Sequence, residues 1–158
     1  MFDNLREIKI DTPIPNEIWY KIFSHLQEQK RSISNMTILG HCIPSDYIEE
    51  FCQMFSLITG KLKLQCSPII GENVQYVFKY FKGRELVIYK CDIQDSVFPS
   101  VISFLRENNK IKILDLRANN FTSKSIKLII EEAKKKKVEC LFRINGGWKD
   151  FSVKVYGK

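Results

Sequence analysis

The sequence predicts an α/β fold built as a short solenoid of four to five strand–helix units behind one N-terminal helix. Two observations predict it. Equivalent positions His41, Ser67, Cys91, Asn119 and Asn145 follow one another at intervals of 26, 24, 28 and 26 residues, each just after a short alternating apolar run. In the four complete units that run leads into apolar residues at i, i+3, i+4 and i+7, the period of a buried helix face. One strand–helix pair cannot cover its own apolar side, so neighbouring units must do it. An ordinary two-layer α/β domain is the alternative arrangement of the same elements.

Residues 1–32 read as a helical segment. Within it, Pro13 to Leu26 carries Ile18, Trp19, Ile22, Phe23 and Leu26 as a wide apolar stripe. Pro15 suits the helix start, and Glu17 complements the positive end of the helix dipole. Residues 33–146 hold the units. Ile33, Met36, Ile38, His41 and Ile43 form the first strand and turn, and Ser45 is placed as the N-cap of a helix bearing Ile48, Phe51, Cys52 and Phe55. Leu62, Leu64, Ser67 and Ile69 precede a helix with Val74, Val77, Phe78 and Phe81. Leu86, Ile88, Cys91 and Ile93 precede one with Val97, Phe98, Val101, Phe104 and Leu105, where Pro99 is tolerable only in the first turn. Ile111, Leu114, Leu116, Asn119 and Phe121 precede one with Ile126, Ile129, Ile130 and Ala133, capped by Thr122 or Ser123. Cys140, Phe142 and Asn145 make a fifth strand, and residues 147–158 read as a capping strand or tail.

The stretch Ile111-Lys-Ile-Leu114-Asp-Leu116-Arg-Ala-Asn119-Asn-Phe121 resembles the L-x-x-L-x-L-x-x-N-x-L segment of a leucine-rich repeat of the longer, helix-containing type. The resemblance covers roughly residues 33–146. It implies that the Asn position lies inside a bend, where its amide satisfies backbone groups of adjacent units. Cys91 is a residue the family accepts there, whereas His41 and Ser67 depart from it.

The string Pro-Ile-Pro-Asn-Glu-Ile-Trp-Tyr-Lys-Ile-Phe-Ser-His-Leu, residues 13–26, resembles the opening of an F-box, roughly L-P-x-E-I-x-x-x-I-F-S-x-L. Ile14 stands for the Leu, and Pro15, Glu17, Ile18, Ile22, Phe23, Ser24 and Leu26 match. The resemblance implies docking on the Skp adaptor of a cullin–RING ubiquitin ligase through Ile14, Pro15, Glu17, Ile18, Trp19, Ile22, Phe23 and Leu26, with the repeats holding a target protein. F-box followed by leucine-rich repeats is a common order. The alternative is a stand-alone repeat module in which this helix only caps the open end. An abbreviated F-box fits a pathogen effector acting in host cytoplasm.

Alternation along the strands defines the candidate target surface, because successive side chains face opposite sides. If the Leu-type positions point inward, Asn35, Thr37 and Leu39 face out, as do Lys61, Lys63 and Gln65, and Glu85, Val87 and Tyr89. Ile113, Asp115 and Arg117 continue the surface, and Glu139, Leu141 and Arg143 end it. Tyr89 and Arg117 are adjacent and of the types enriched at interface hot spots.

Chemistry is not expected. His25 and His41 lack the spaced Cys, Asp or Glu partners of a nucleophile or metal site, so neither a catalytic residue nor a metal or other cofactor is predicted. Gly146-Gly147 is a turn without the Lys-Ser/Thr of a phosphate loop. Five cysteines, Cys42, Cys52, Cys66, Cys91 and Cys140, are odd in number and widely spaced; burial is the default for most of them and a reducing, cytoplasmic setting the simpler expectation. No run of apolar residues is long enough to span a bilayer, and the first residues do not read as a secretory signal. The charge of +7 and the run Lys134 to Lys137 invite a nucleic-acid reading. That run falls at a helix end, where cations complement the dipole, and no aromatic-basic interleaving accompanies it. Nucleic acid is therefore not the expected partner.

Overall fold

A computed structural model describes residues 5–29, 31–44 and 46–142. They form six parallel strands alternating with helices: β1 (Leu5–Ile10), α1 (Asn16–Glu28), β2 (Ile33–Leu39), α2 (Ile48–Gln53), β3 (Ile58–Gln65), α3 (Pro68–Tyr80), β4 (Glu85–Tyr89), α4 (Phe98–Glu107), β5 (Ile113–Asp115), α5 (Ser123–Lys136) and β6 (Glu139–Leu141). The strands lie side by side in chain order, β1-β2-β3-β4-β5-β6. Each helix therefore returns the chain by one strand, and no strand is inserted between earlier neighbours.

The register follows the apolar alternation. Ile8, Met36, Leu62, Leu86, Leu114 and Cys140 stand in one row across the sheet. Ile10, Ile38, Leu64 and Ile88 form the next. Met36, Ile38, Leu62, Leu64, Leu86, Ile88, Leu114 and Cys140 are all buried, whereas most residues between them are only half-buried or exposed. One sheet face thus packs under the helices and the other stays open. A one-residue slip would turn every one of these side chains to the wrong side, so burial itself specifies the pairing.

Residues 1–32, expected to be helical, contain strand β1 as well. Ile8 and Ile10 face the core there, and Arg6, Glu7 and Lys9 dilute the alternation to the point of illegibility. Such charges are what an edge strand carries to discourage pairing with a further chain.

The helix starts follow their local chemistry. Ser67 accepts the amide of Ile70 at the start of α3, and Thr122 accepts that of Ser125 at the start of α5, each worth about 1 kcal/mol. Pro99 occupies the first turn of α4, where no amide is required. Residue Ser45, predicted to cap α2, lies outside the described residues; the residue directly before α2 is Tyr47, in the left-handed conformation. Lys134, Lys135 and Lys136 close the last turn of α5, and Lys136 Nζ donates to the Arg106 carbonyl at 2.8 Å.

Candidate protein-binding surfaces

The bends after the strands carry the strongest constraint. Asn119 is buried and bridges two units: its Oδ1 accepts from the amides of Cys91 and Ile93 at 3.0 and 3.2 Å. Its Nδ2 donates to the carbonyls of Ile88 at 2.8 Å and Leu116 at 3.0 Å. Cys91 makes the corresponding reach one unit earlier, its thiol directed at the Leu64 carbonyl at 3.8 Å, and Leu64 is the register partner of Ile88. Ser67 instead turns to its own helix as the cap. His41 is not inside its bend: it is exposed, and its Nε2 lies 2.9 Å from the Asp11 carbonyl. The polypeptide turns through the left-handed region at Cys66, Lys90 and Ala118, three equivalent positions.

That turn exposes Cys66, which sequence grouped with the packed cysteines, and leaves Cys42, Cys52, Cys91 and Cys140 buried. Burial pushes the Cys52 and Cys140 thiols up to about 12 and Cys91 to about 11. Since thiolate is the reactive form, a neutral alkylating reagent at pH 7.5 should modify Cys66 within minutes and those three only on unfolding. Mass spectrometry of the native protein checks this; rapid labelling of Cys91 would contradict the packing.

On the open face the predicted rows are present. Asn35, Lys61, Glu85, Ile113 and Glu139 align, as do Thr37, Lys63, Val87, Asp115 and Leu141. Leu39, Gln65 and Tyr89 begin a third row, with Arg117 just past the last bridged pair. Thr37, Leu39, Lys63, Gln65, Tyr89 and Leu141 are half-buried and reachable. Two members are not free contact surface. Val87 is only 5% exposed, hemmed between the rows of β3 and β5. Asp115 is buried and clasped by the Arg117 guanidinium, with Nη2 2.6 Å from Oδ2 and Nε 2.9 Å from Oδ1. Arg117 thus spends its fork on its own sheet, and its removal would strand a buried carboxylate. Arg143 lies outside the described residues, as do Asn145 and the predicted capping strand or tail. Lys61 and Glu85 pair across strands at 2.6 Å, so this face is a mosaic of charges, not a field of one sign.

Helix α1 buries only part of its apolar stripe. Trp19 and Leu26 are buried in the core, and Ile14 and Phe23 pack partly against it. The five-residue stripe read as a partner face therefore loses Trp19 and Leu26 to the core. Ile18 at 46% and Ile22 at 37% remain exposed, near exposed Pro15 and Glu17. Sequence reasoning missed two further exposed aromatics, Tyr20 and Tyr47, whose rings meet edge-on 6.4 Å apart. Tyr20 falls outside the i, i+4 stripe, and nothing in the spacing marks Tyr47.

Among the described residues no group of three or more His, Cys, Asp or Glu could hold a metal ion, and no helix is long and apolar enough to cross a membrane. Comparison with protein-family models, with curated proteins and with solved structures yields no match.

Proposed function

We propose that this chain is a non-catalytic, leucine-rich-repeat-type binding protein that recruits a target to a Skp–cullin–F-box ubiquitin ligase. Helix α1 engages the Skp adaptor, and the open sheet face holds the target. The observation that carries the reading is the exposure of Ile18 and Ile22, one turn apart at the edge of an apolar stripe whose neighbouring members Trp19 and Leu26 are buried. Exposed β-branched residues at that spacing suit insertion into an apolar groove of a partner. The ladder of equivalent bends and the in-register rows support the repeat reading of the array.

A second reading, a stand-alone interaction module, is favoured by β1. That strand makes α1 the helix of a strand–helix pair like those that follow, so α1 already has a structural role as the cover of the first apolar layer.

Mixing the purified chain with a eukaryotic Skp adaptor separates the two. The ligase reading expects a one-to-one complex, weakened by about 1 kcal/mol or more by Ile18→Ala and by Ile22→Ala, with unchanged circular dichroism. No complex at micromolar concentrations would leave the stand-alone module.

A further inference from the structure

The charge of +7 is not spread evenly over the fold. In an array of parallel strands, every connection from a helix into the next strand lies at one end of the sheet. Among the described residues, those connections hold Arg31, Lys82, Arg84, Lys110, Lys112 and Lys137, and no Asp or Glu. The connections at the opposite end hold Asp11, Asp46, Asp92 and Asp95 against Lys90 and Arg117. Cations near a helix end complement its dipole, but that effect fades within the last turn. Arg84 and Lys112 lie beyond it, each directly before its strand.

These two side chains, with Lys110 and Thr59, line an open cleft of about 410 Å³ where β3, β4 and β5 begin. All four residues are exposed, and among the described residues no carboxylate pairs with any of the three cations. Glu85, next to Arg84 in the chain, is engaged by Lys61 at 2.6 Å. The backbone beneath the cations is fixed. Arg84 donates its amide to the Gly60 carbonyl at 2.8 Å, and its own carbonyl accepts the amides of Lys112 and Ile113 at 2.7 and 3.2 Å. Buried Asn108 ties down the turn that carries Lys110. Its Oδ1 accepts from the amides of Lys110 and Ile111 at 3.0 and 3.1 Å, and its Nδ2 donates to the Phe81 carbonyl at 3.3 Å. Three like charges on a backbone that cannot spread repel one another until a dense anion enters between them.

We propose that this cleft binds a chain of linked phosphates on a free, soluble molecule. The Arg84 guanidinium can fork onto two phosphate oxygens, while Lys110 and Lys112 act as point charges on the next group. An acidic peptide is a poorer match, because successive side chains of an extended chain face opposite ways and only every second carboxylate could enter. The aromatic residues of these connections, Phe55 and Phe81, are buried, so no ring is offered to a nucleic-acid base. None of the exposed large apolar side chains lies there to enter a bilayer. The site uses no residue of the Ile18–Ile22 face and does not depend on the ligase reading.

The test is calorimetric titration of the full chain with sodium tripolyphosphate at low ionic strength, with citrate as the carboxylate comparison. Saturable one-to-one binding is expected, at least tenfold tighter for tripolyphosphate and weakened by added salt. Replacing Arg84, Lys110 and Lys112 together by Gln should lower the affinity tenfold or more and leave the thermal midpoint of the free protein level or higher. Replacing Lys90, Lys124 and Lys127 by Gln removes the same charge elsewhere and should change the affinity less than twofold. Absence of saturable binding by the folded protein, equal affinity for citrate, or equal losses in the two triple variants would overturn the proposal. Tighter binding to a DNA duplex or to phosphatidic acid vesicles, at matched phosphate concentration, would overturn the assignment to a free ligand.

Discussion

Asn119→Ala is expected to cost about 4 kcal/mol of folding stability, because it strips partners from backbone groups of two units at once. The amides of Cys91 and Ile93 and the carbonyls of Ile88 and Leu116 all meet this one side chain inside the bend. Alanine leaves them buried and dry. A domain of this size has a total stability of roughly 5–15 kcal/mol, so the loss is a large share of it. Urea denaturation should show a lowered midpoint with an unchanged slope. Asn119→Asp keeps the acceptor for the two amides but sets charge against the two carbonyls, and should be no better tolerated. Asn119→Cys should fall between, since Cys91 occupies the equivalent bend with a thiol contact. A loss below about 1 kcal/mol for the alanine variant would mean that the bend is not the joint between units that the geometry makes it.

Gly71→Ala reverses an ordinary expectation. Alanine in place of glycine within a helix normally stabilises by about 1 kcal/mol. Here a Cβ on Gly71 would lie 1.9 Å from the Cys91 carbonyl oxygen, a backbone atom with no room to turn aside. Helix α3 would have to move away from the bend after β4, opening the apolar layer between the units. The net effect should be destabilisation by about 3 kcal/mol, read as a fall in thermal midpoint. Stability equal to or above that of the parent protein would show that α3 does not approach the bend so closely.

Much of the array was legible because burial leaves a period in the sequence. Leu62 and Leu64 alternate with polar residues, and the register of Leu62, Leu64, Leu86, Ile88 and Leu114 matches the spacing read from the chain. Asn119 could be placed inside a bend because it follows its strand at the same offset as Cys91. What could not be read lies where period and burial part company. Strand β1 has too few apolar residues to show an alternation. His41 shares the spacing of Asn119 but turns outward, because a short 3-10 helix, Gly40–Cys42, replaces the left-handed bend of the later units. Val87 sits in an outward position yet is buried, and Asp115 is held by Arg117, because neighbouring strands and side chains close over them. On α1 the period located an apolar stripe but not its division between core and exterior.

The strand order has a metrical consequence. Parallel neighbours stand about 4.8 Å apart, so the five steps from β1 to β6 set the two ends of the sheet roughly 24 Å from each other. A ligand seated beside α1 and another resting on the last strands would be held at that separation by hydrogen-bonded backbone, not by a slack tether. Their encounter would then be governed by a fixed effective concentration, which one further strand–helix insertion would reset by lengthening the span about 4.8 Å.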